Sequence, residues 1–284
     1  MIAKLALVAA VARLRAAGVE DPAADARALL AHAMQVPPAR LALHTGDELT
    51  EAQAEVYEEA IAAREARRPV AQITGTRFFW GLPFRVTQDT LDPRPETEVL
   101  VAEALSQPFF RLLDLGTGTG CILLSCLHDM RAAQGLGVDA SPAALAVAEA
   151  NAAALGLGAR ATFALSDWCS AVSGRYDLIV SNPPYIAADE MPGLAPEVRG
   201  WEPEIALTPG GDGLDAYRII ARQAPARLMP GGRILLEIGP TQGAVVAGLL
   251  AAQGFRDIRV LPDLDGRDRV VAAVSIAADG CGSA

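Results

Sequence analysis

The segment Ser181-Asn182-Pro183-Pro184-Tyr185-Ile186 directly follows the apolar run Tyr176-Asp177-Leu178-Ile179-Val180, where a buried strand is expected to end. Two consecutive prolines neither continue a helix nor donate to a sheet, so the backbone here is stiff and extended. Its carbonyls stand in fixed directions, with the Asn182 amide on one side and the Tyr185 ring on the other. Such a segment suits a small planar group carrying N–H donors. An NH2 conjugated to a carbonyl or an aromatic ring is a weak nucleophile because its lone pair is delocalised, as the amide rotation barrier of roughly 18–20 kcal/mol shows. The Asn182 side-chain oxygen and the Pro183 carbonyl are placed to accept both hydrogens and turn the lone pair toward an electrophile. Tyr185 would stack on the flat face. Asn182, Pro183 and Tyr185 are therefore the candidate catalytic residues, and with Pro184 they form the candidate substrate holder. A proline-rich loop after a strand would explain the tetrapeptide alone; the segments upstream argue for more.

Those segments read as a nucleotide-type site. Arg111-Leu112-Leu113-Asp114-Leu115 is a short buried strand running into Gly116-Thr117-Gly118-Thr119-Gly120 and a helix over Cys121–Asp129. Strand, glycine loop and helix form the first turn of a Rossmann-like sheet, where missing Cβ atoms admit a ligand to the backbone. The spacing is G-x-G-x-G rather than the dinucleotide G-x-G-x-x-G, which weighs against NAD. A second strand, Leu136-Gly137-Val138, ends in Asp139, 19 residues beyond Gly120 (139 − 120), a position suited to both hydroxyls of a ribose. After a third strand, Ala161–Ala164, come Asp167 to accept from an adenine amino group and Trp168 to cover its ring. All four stretches fall at carboxyl ends of strands, where open α/β sheets bind ligands.

The remaining elements frame this sheet. Residues 1–68 are rich in Ala and Leu, with helix starts at Asp21-Pro22 and Thr50, and read as a small bundle of roughly four helices. Residues 69–94, with Phe78-Phe79-Trp80-Gly81-Leu82-Pro83-Phe84, suggest a β-hairpin linker. Arg94-Pro95-Glu96-Thr97 opens a helix to about Leu105, and residues 95–276 carry the α/β domain. Glu197 to Gly213 reads as a long polar loop over the site, in the manner of a lid. It precedes a helix from Leu214 to about Leu228, a strand over Arg233–Ile238, a helix over Thr241–Ala252 and an antiparallel pair, Asp257–Leu261 with Val270–Ile276. Residues 277–284 read as a disordered tail.

Composition narrows the classes. A hydrophobic fraction of 51% over 284 residues supports a large core, and a formal charge of −10 works against sequence-independent gripping of nucleic acid. Cys121, Cys126, Cys169 and Cys281 have no CxxC spacing and His32, His44 and His128 are scattered, so no metal site or disulfide framework is expected and a reducing cytoplasm fits. The apolar start Leu5–Ala12 is interrupted by Arg13 and Arg15 and reads as a helix rather than an export signal. No stretch reaches the ~20 apolar residues of a membrane span.

Over nearly its whole length the chain resembles the bacterial release-factor glutamine-N5 methyltransferases, the HemK/PrmC family. The resemblance is carried by Phe79-Trp80-Gly81 to Phe84, Arg94-Pro95-Glu96-Thr97-Glu98, Asp114 to Gly120, Asp139, Asp167-Trp168, Asn182-Pro183-Pro184-Tyr185, and Glu202-Pro203 followed by Gly210-Gly211-Asp212-Gly213-Leu214. It implies a seven-stranded class I methyltransferase domain preceded by the helical bundle and hairpin linker. It also implies S-adenosylmethionine as cofactor, leaving as S-adenosylhomocysteine, with Gly116, Thr117, Gly118, Thr119, Gly120, Asp139, Asp167, Trp168 and Asn182 around it. The substrate implied is the glutamine of the Gly-Gly-Gln loop of class I peptide chain release factors, held by Asn182–Tyr185, with the helical bundle recognising the factor. A monomer with no nucleic-acid partner is expected. The rivals are an N-methyltransferase acting on an amino group of adenine or cytosine, where the same pocket takes a flipped base, a non-catalytic adenosylmethionine-binding protein, and an NAD-dependent oxidoreductase.

Overall fold

In the computed structural model, which describes residues 1–276, the chain divides into two units: Met1–Thr76 with Leu194–Trp201, and Arg77–Gly193 with Glu202 onward. The expected disordered tail, residues 277–284, lies outside the described residues.

The first unit is helical: α1 (Ala3–Ala16), α2 (Pro22–Met34), a 3-10 turn (Pro38–Leu43), α3 (Glu51–Glu65) and α4 (Val70–Thr74). Asp21 caps α2 with Pro22 in its first turn, and Thr50 and Gln53 form a reciprocal capping box on α3, which explains why both starts are legible in the sequence. The apolar faces close on Leu14, Leu29, Leu30 and Ile61. The short helix α8 (Pro196–Trp201) belongs to this unit rather than to a free polar loop. Glu197 takes Arg64 at 2.8 Å and Arg67 at 2.7 Å, and the Gln72 side chain donates to the Trp201 carbonyl at 2.9 Å. Arg64 is buried, so its charge requires the two carboxylates it meets, Asp25 and Glu197. The reading of 197–213 as one long loop is corrected accordingly. It holds α8 and then α9 (Glu204–Leu207), of which only α9 lies in the second unit.

In the second unit, the two-residue turn of the hairpin β1 (Thr76–Phe79) and β2 (Leu82–Arg85) has positive φ at Trp80 (52°) and Gly81 (72°), the combination that matches strand twist. The Glu98 carboxylate accepts from the Trp80 amide at 2.8 Å, tying the turn to α5 (Glu98–Leu105). Then follow β3 (Arg111–Leu115), α6 (Cys121–Asp129), β4 (Gln134–Asp139), α7 (Pro142–Ala154), β5 (Ala161–Leu165), β6 (Tyr176–Ser181), α10 (Asp215–Gln223), β7 (Leu228–Glu237), α11 (Gly243–Ala252), β8 (Arg256–Pro262) and β9 (Asp268–Val274).

The sheet order is β5-β4-β3-β6-β7-β9-β8, parallel except for the pairings of β9 with β7 and β8. This is the seven-stranded α/β architecture expected. Strand alternation divides the core in two. Leu112, Leu178, Val180 and Leu235 face the helices α5 and α6, while Leu113, Ile179, Ile234 and Leu236 face α10 and α11. The strand β7 begins five residues before the expected Arg233, because Gly232 lets the chain run against Tyr176: a Cβ there would stand 3.1 Å from its carbonyl oxygen.

Candidate active site

A cavity of about 550 Å³ opens at the carboxyl ends of β3, β4, β5 and β6, built from residues of the second unit. The strand order reverses between β3 and β6, and such a switch point leaves a crevice above the sheet.

The loop after β3 carries Gly116, Thr117, Gly118 and Thr119 into the lining. At Gly118 φ is +54°, and a Cβ would meet nothing within 4 Å, so its bare backbone faces open space. Gly120 stands behind the lining as the left-handed cap of α6, where a Cβ would crowd Leu124 at 3.1 Å and Ala148 at 3.3 Å. The loop is anchored from α7, whose buried Asn151 donates to the Thr119 carbonyl at 2.9 Å and exchanges hydrogen bonds with the backbone of Arg85.

Asp139, at the end of β4, accepts from the Gly118 amide at 2.9 Å with one oxygen and from the Ser141 amide at 2.9 Å with the other. The carboxylate is thereby oriented while each oxygen retains acceptor capacity. Asp167 and Trp168 both line the cavity. Trp168 holds a left-handed φ of 49°, stabilised by the Ser166 hydroxyl, which donates to its carbonyl at 2.7 Å. This puts the indole edge 3.7 Å from where a Cβ on Gly116 would lie.

Asp114, beneath the loop, is fully buried. One oxygen accepts from the Thr117 hydroxyl at 2.7 Å and the other has no partner. Burial pushes its carboxyl up to about 7, with the Thr117 hydrogen bond opposing the shift. A carboxyl raised in the folded state stabilises the fold below its ordinary value of 3.8, and that stability is lost as pH rises toward about 7. Asp114→Asn is therefore expected to unfold at a higher temperature than the parent at pH 8 and to lose this advantage at pH 4. Thermal melts at both pH values check it; an unchanged difference between them would refute the assignment.

The four predicted substrate-holding residues do not all reach the cavity. Asn182 and Pro184 line it, whereas Pro183 is buried and Tyr185 packs against the α10/α11 side of the core. Burial pushes the Tyr185 phenol up to about 12, and its backbone carbonyl takes the Gln242 amide at 2.9 Å. The Asn182 Nδ2 donates to the Thr97 hydroxyl at 3.4 Å, and the neighbouring Ser181 hydroxyl bonds the Leu115 carbonyl at 2.6 Å, locking the ends of β6 and β3 together.

The lining is completed by Asp89 to Pro93, for which the sequence disclosed no role, and by Ile205, Ala206 and Pro209 from the segment read as a lid over the site. Arg94 lines the cavity and pairs with the buried Glu202. Burial pushes Glu202 up to about 7, with Arg94 opposing and the neighbouring Asp92 adding to the rise. The only advance sign was the recurrence of Arg94 and Glu202 in the family-specific segments.

Two family models match, the PrmC N-terminal domain over residues 6–75 and the methyltransferase small domain over residues 87–196. A release factor glutamine methyltransferase of Cereibacter sphaeroides is 64% identical over 268 residues, covering 94% of this chain and 96% of that protein. Its namesakes from Rhodospirillum rubrum (47% identical, covering 92% and 81%) and Bradyrhizobium diazoefficiens (44% identical, covering 92% and 91%) align similarly. The chain belongs to the release factor glutamine methyltransferase family. As a member it is an S-adenosylmethionine-dependent methyltransferase. Two more distant solved structures share the fold alone: a methyltransferase from Pyrococcus furiosus (14% identical, TM-score 0.54, covering 69% of this chain and 90% of that one) and the hMettl16 catalytic domain in complex with an RNA hairpin (17%, 0.58, covering 78% and 84%). The release factor glutamine methyltransferase reading thus rests on the close relatives. Among the described residues, no helix is long and apolar enough to cross a membrane.

Proposed function

We propose that the protein methylates the side-chain amide nitrogen (N5) of the glutamine in the Gly-Gly-Gln loop of class I peptide chain release factors, acting as a cytoplasmic monomer. Residues 1–68 recognise the factor, 69–94 link, and 95–276 carry the reaction. The observation that carries the substrate reading is Asn182: its Nδ2 is engaged by Thr97, so its Oδ1 is the acceptor left for the cavity that it lines.

The residues fit the cofactor. Gly118 leaves a cradle that a side chain would fill, and Asp139 has acceptor capacity for a ribose. Asp167 and Trp168 would hold the adenine. When bound, S-adenosylmethionine supplies an electrophilic sulfonium methyl and leaves as S-adenosylhomocysteine. The protein's part is alignment. Asn182 Oδ1 and the Pro183 carbonyl accept the two amide hydrogens and direct the nitrogen lone pair. Pro183 contributes no atom to the cavity lining, so its carbonyl serves a substrate amide that reaches past Asn182. Among the described residues, no histidine or lysine lines the cavity, and none is required: the nitrogen becomes acidic on alkylation and its proton passes to water.

Intact-mass spectrometry with peptide mapping, after incubating a purified release factor with this protein and S-adenosylmethionine, tests the proposal. The expected result is one added methyl on the Gly-Gly-Gln glutamine. An unmodified, folded factor with cofactor binding intact would redirect the assignment to a nucleic-acid amino group or another protein.

A further inference from the structure

We infer that Arg94 is a cofactor-binding residue whose guanidinium takes the carboxylate at the amino-acid end of S-adenosylmethionine. The inference deepens the cofactor reading given above and rests on it. Among the described residues of the cavity lining, Asp89, Asp92, Asp139, Asp167 and Asp215 are carboxylic acids and Arg94 is the single basic side chain. The amino-acid end carries an ammonium, for which such a cavity offers several partners, and a carboxylate, which most of the charged lining repels.

The backbone offers little in its place. A glycine loop that leads into a helix can hold an anion on free N–H groups, but here those groups are largely spent. Gly116 and Thr117 both donate to the Val138 carbonyl at 2.9 Å, Gly118 donates to Asp139 at 2.9 Å, and Gly120 donates to the Thr117 carbonyl at 2.8 Å. Most of the loop is thereby engaged within the protein.

Arg94, by contrast, has donors to spare. It stands just before the 3-10 turn Pro95–Thr97, and its Nη2 donates to Glu202 Oε1 at 2.5 Å. The Glu202 side chain is almost fully buried and fixes the guanidinium to the wall, whereas the Arg94 side chain keeps 38% exposure. This is the only side-chain hydrogen bond of Arg94 among the described residues. A guanidinium carries five N–H donors, so one two-hydrogen edge stays complete for a carboxylate, the fork in which arginine binds such groups most strongly. The carboxyls of Asp92 and Glu202 do not neutralise it outright, because burial favours the protonated form of both. The placement also suits the chemistry. Thr97, three residues on, meets Asn182 at 3.4 Å, and the methyl and the amino-acid arm leave the same sulfur, so the segment carrying Arg94 borders the end of the cavity where that arm must lie.

The test is a cycle in which each partner is removed in turn. Calorimetry measures the affinity of the full-length protein, parent and Arg94→Ala, for S-adenosylhomocysteine and for its decarboxylated analogue, which keeps the adenosine, the sulfur and the ammonium. In the parent, loss of the ligand carboxylate should weaken binding about 10- to 100-fold. In Arg94→Ala, S-adenosylhomocysteine should be weakened by a similar factor and the preference for the carboxylate should disappear. A purely structural Arg94 would weaken both ligands alike and leave that preference standing, which overturns the inference. So does unchanged affinity for S-adenosylhomocysteine with a raised KM for the release factor, which would assign Arg94 to the substrate. Should Arg94→Ala fail to fold, Arg94→Gln, which can still donate to Glu202 but lacks the charge and the fork, takes its place in the cycle with the same expectation. A parent that binds both ligands without preference removes this inference alone; a parent that binds neither removes the cofactor reading, and the inference with it.

Discussion

Asn182→Ala is expected to lower methyl transfer to a release factor by about 10²–10³-fold, since the loss of one preorganised polar partner typically costs about 2.7–4 kcal/mol in the transition state. The amide nitrogen of the acceptor is delocalised and gains nucleophilicity only if its hydrogens are drawn into the right plane. Asn182 is the side chain of the tetrapeptide that both lines the cavity and has its rotamer tied by a neighbour. The backbone should tolerate the change: Ser181 holds the strand end through Leu115, Gln242 holds the Tyr185 carbonyl, and neither bond uses the Asn182 side chain. Because Asn182 also borders the proposed cofactor site, affinity for S-adenosylhomocysteine is expected to change, though by less than about tenfold. Single-turnover rates and calorimetry on the same preparation separate the two. A rate within threefold of the parent, by this order-of-magnitude argument, removes Asn182 from the chemistry.

Asp139→Ala should act on the other ligand. Hydrogen bonds to a charged group contribute about 1.5–3 kcal/mol each, so the loss of a carboxylate proposed to serve two ribose hydroxyls predicts an affinity for S-adenosylmethionine lower by about 10²-fold or more. The structure adds a second consequence. Both carboxylate oxygens already accept backbone amides, from Gly118 and Ser141, so the residue also holds the glycine loop. Asp139→Asn is therefore no conservative change, because either orientation of its amide sets an NH2 against one of those N–H groups. It should bind cofactor nearly as weakly as the alanine variant. Titration calorimetry of both variants is the check, and near-parental affinity in Asp139→Asn would show that the two backbone bonds do not orient the carboxylate.

Much of this site was readable from the chain because its parts are local. Leu112 to Gly120 encodes strand, turn and helix in one stretch. Gly120 caps α6 in a left-handed conformation that side-chain-bearing residues rarely adopt, and Asp139 follows at the distance one strand–helix–strand unit requires. The hairpin was legible for the same reason, its Trp80-Gly81 turn supporting positive φ at two successive residues. What was misread involved partners far away in sequence. Tyr185 looked like a stacking platform when only its neighbours were considered, yet it is partly buried and packs against the α10/α11 side of the core. The segment from Glu197 to Gly213 looked like one polar loop because Glu197 gives no local sign of its arginines, 133 and 130 residues earlier.

By itself, then, the sequence determined the order of strands and helices, the glycine loop and the acidic residues at strand ends, since these follow from backbone conformation and from periodicities of two and 3.6 residues. Only the tertiary structure decided which polar groups lose their water. Asp114, Glu202 and Glu237 resemble any other acids in a list of residues, and their carboxyls rise to about 7 because the packed sheet and helices exclude solvent from them. Desolvation depends on everything that surrounds a group at once, and no spacing along the chain records it.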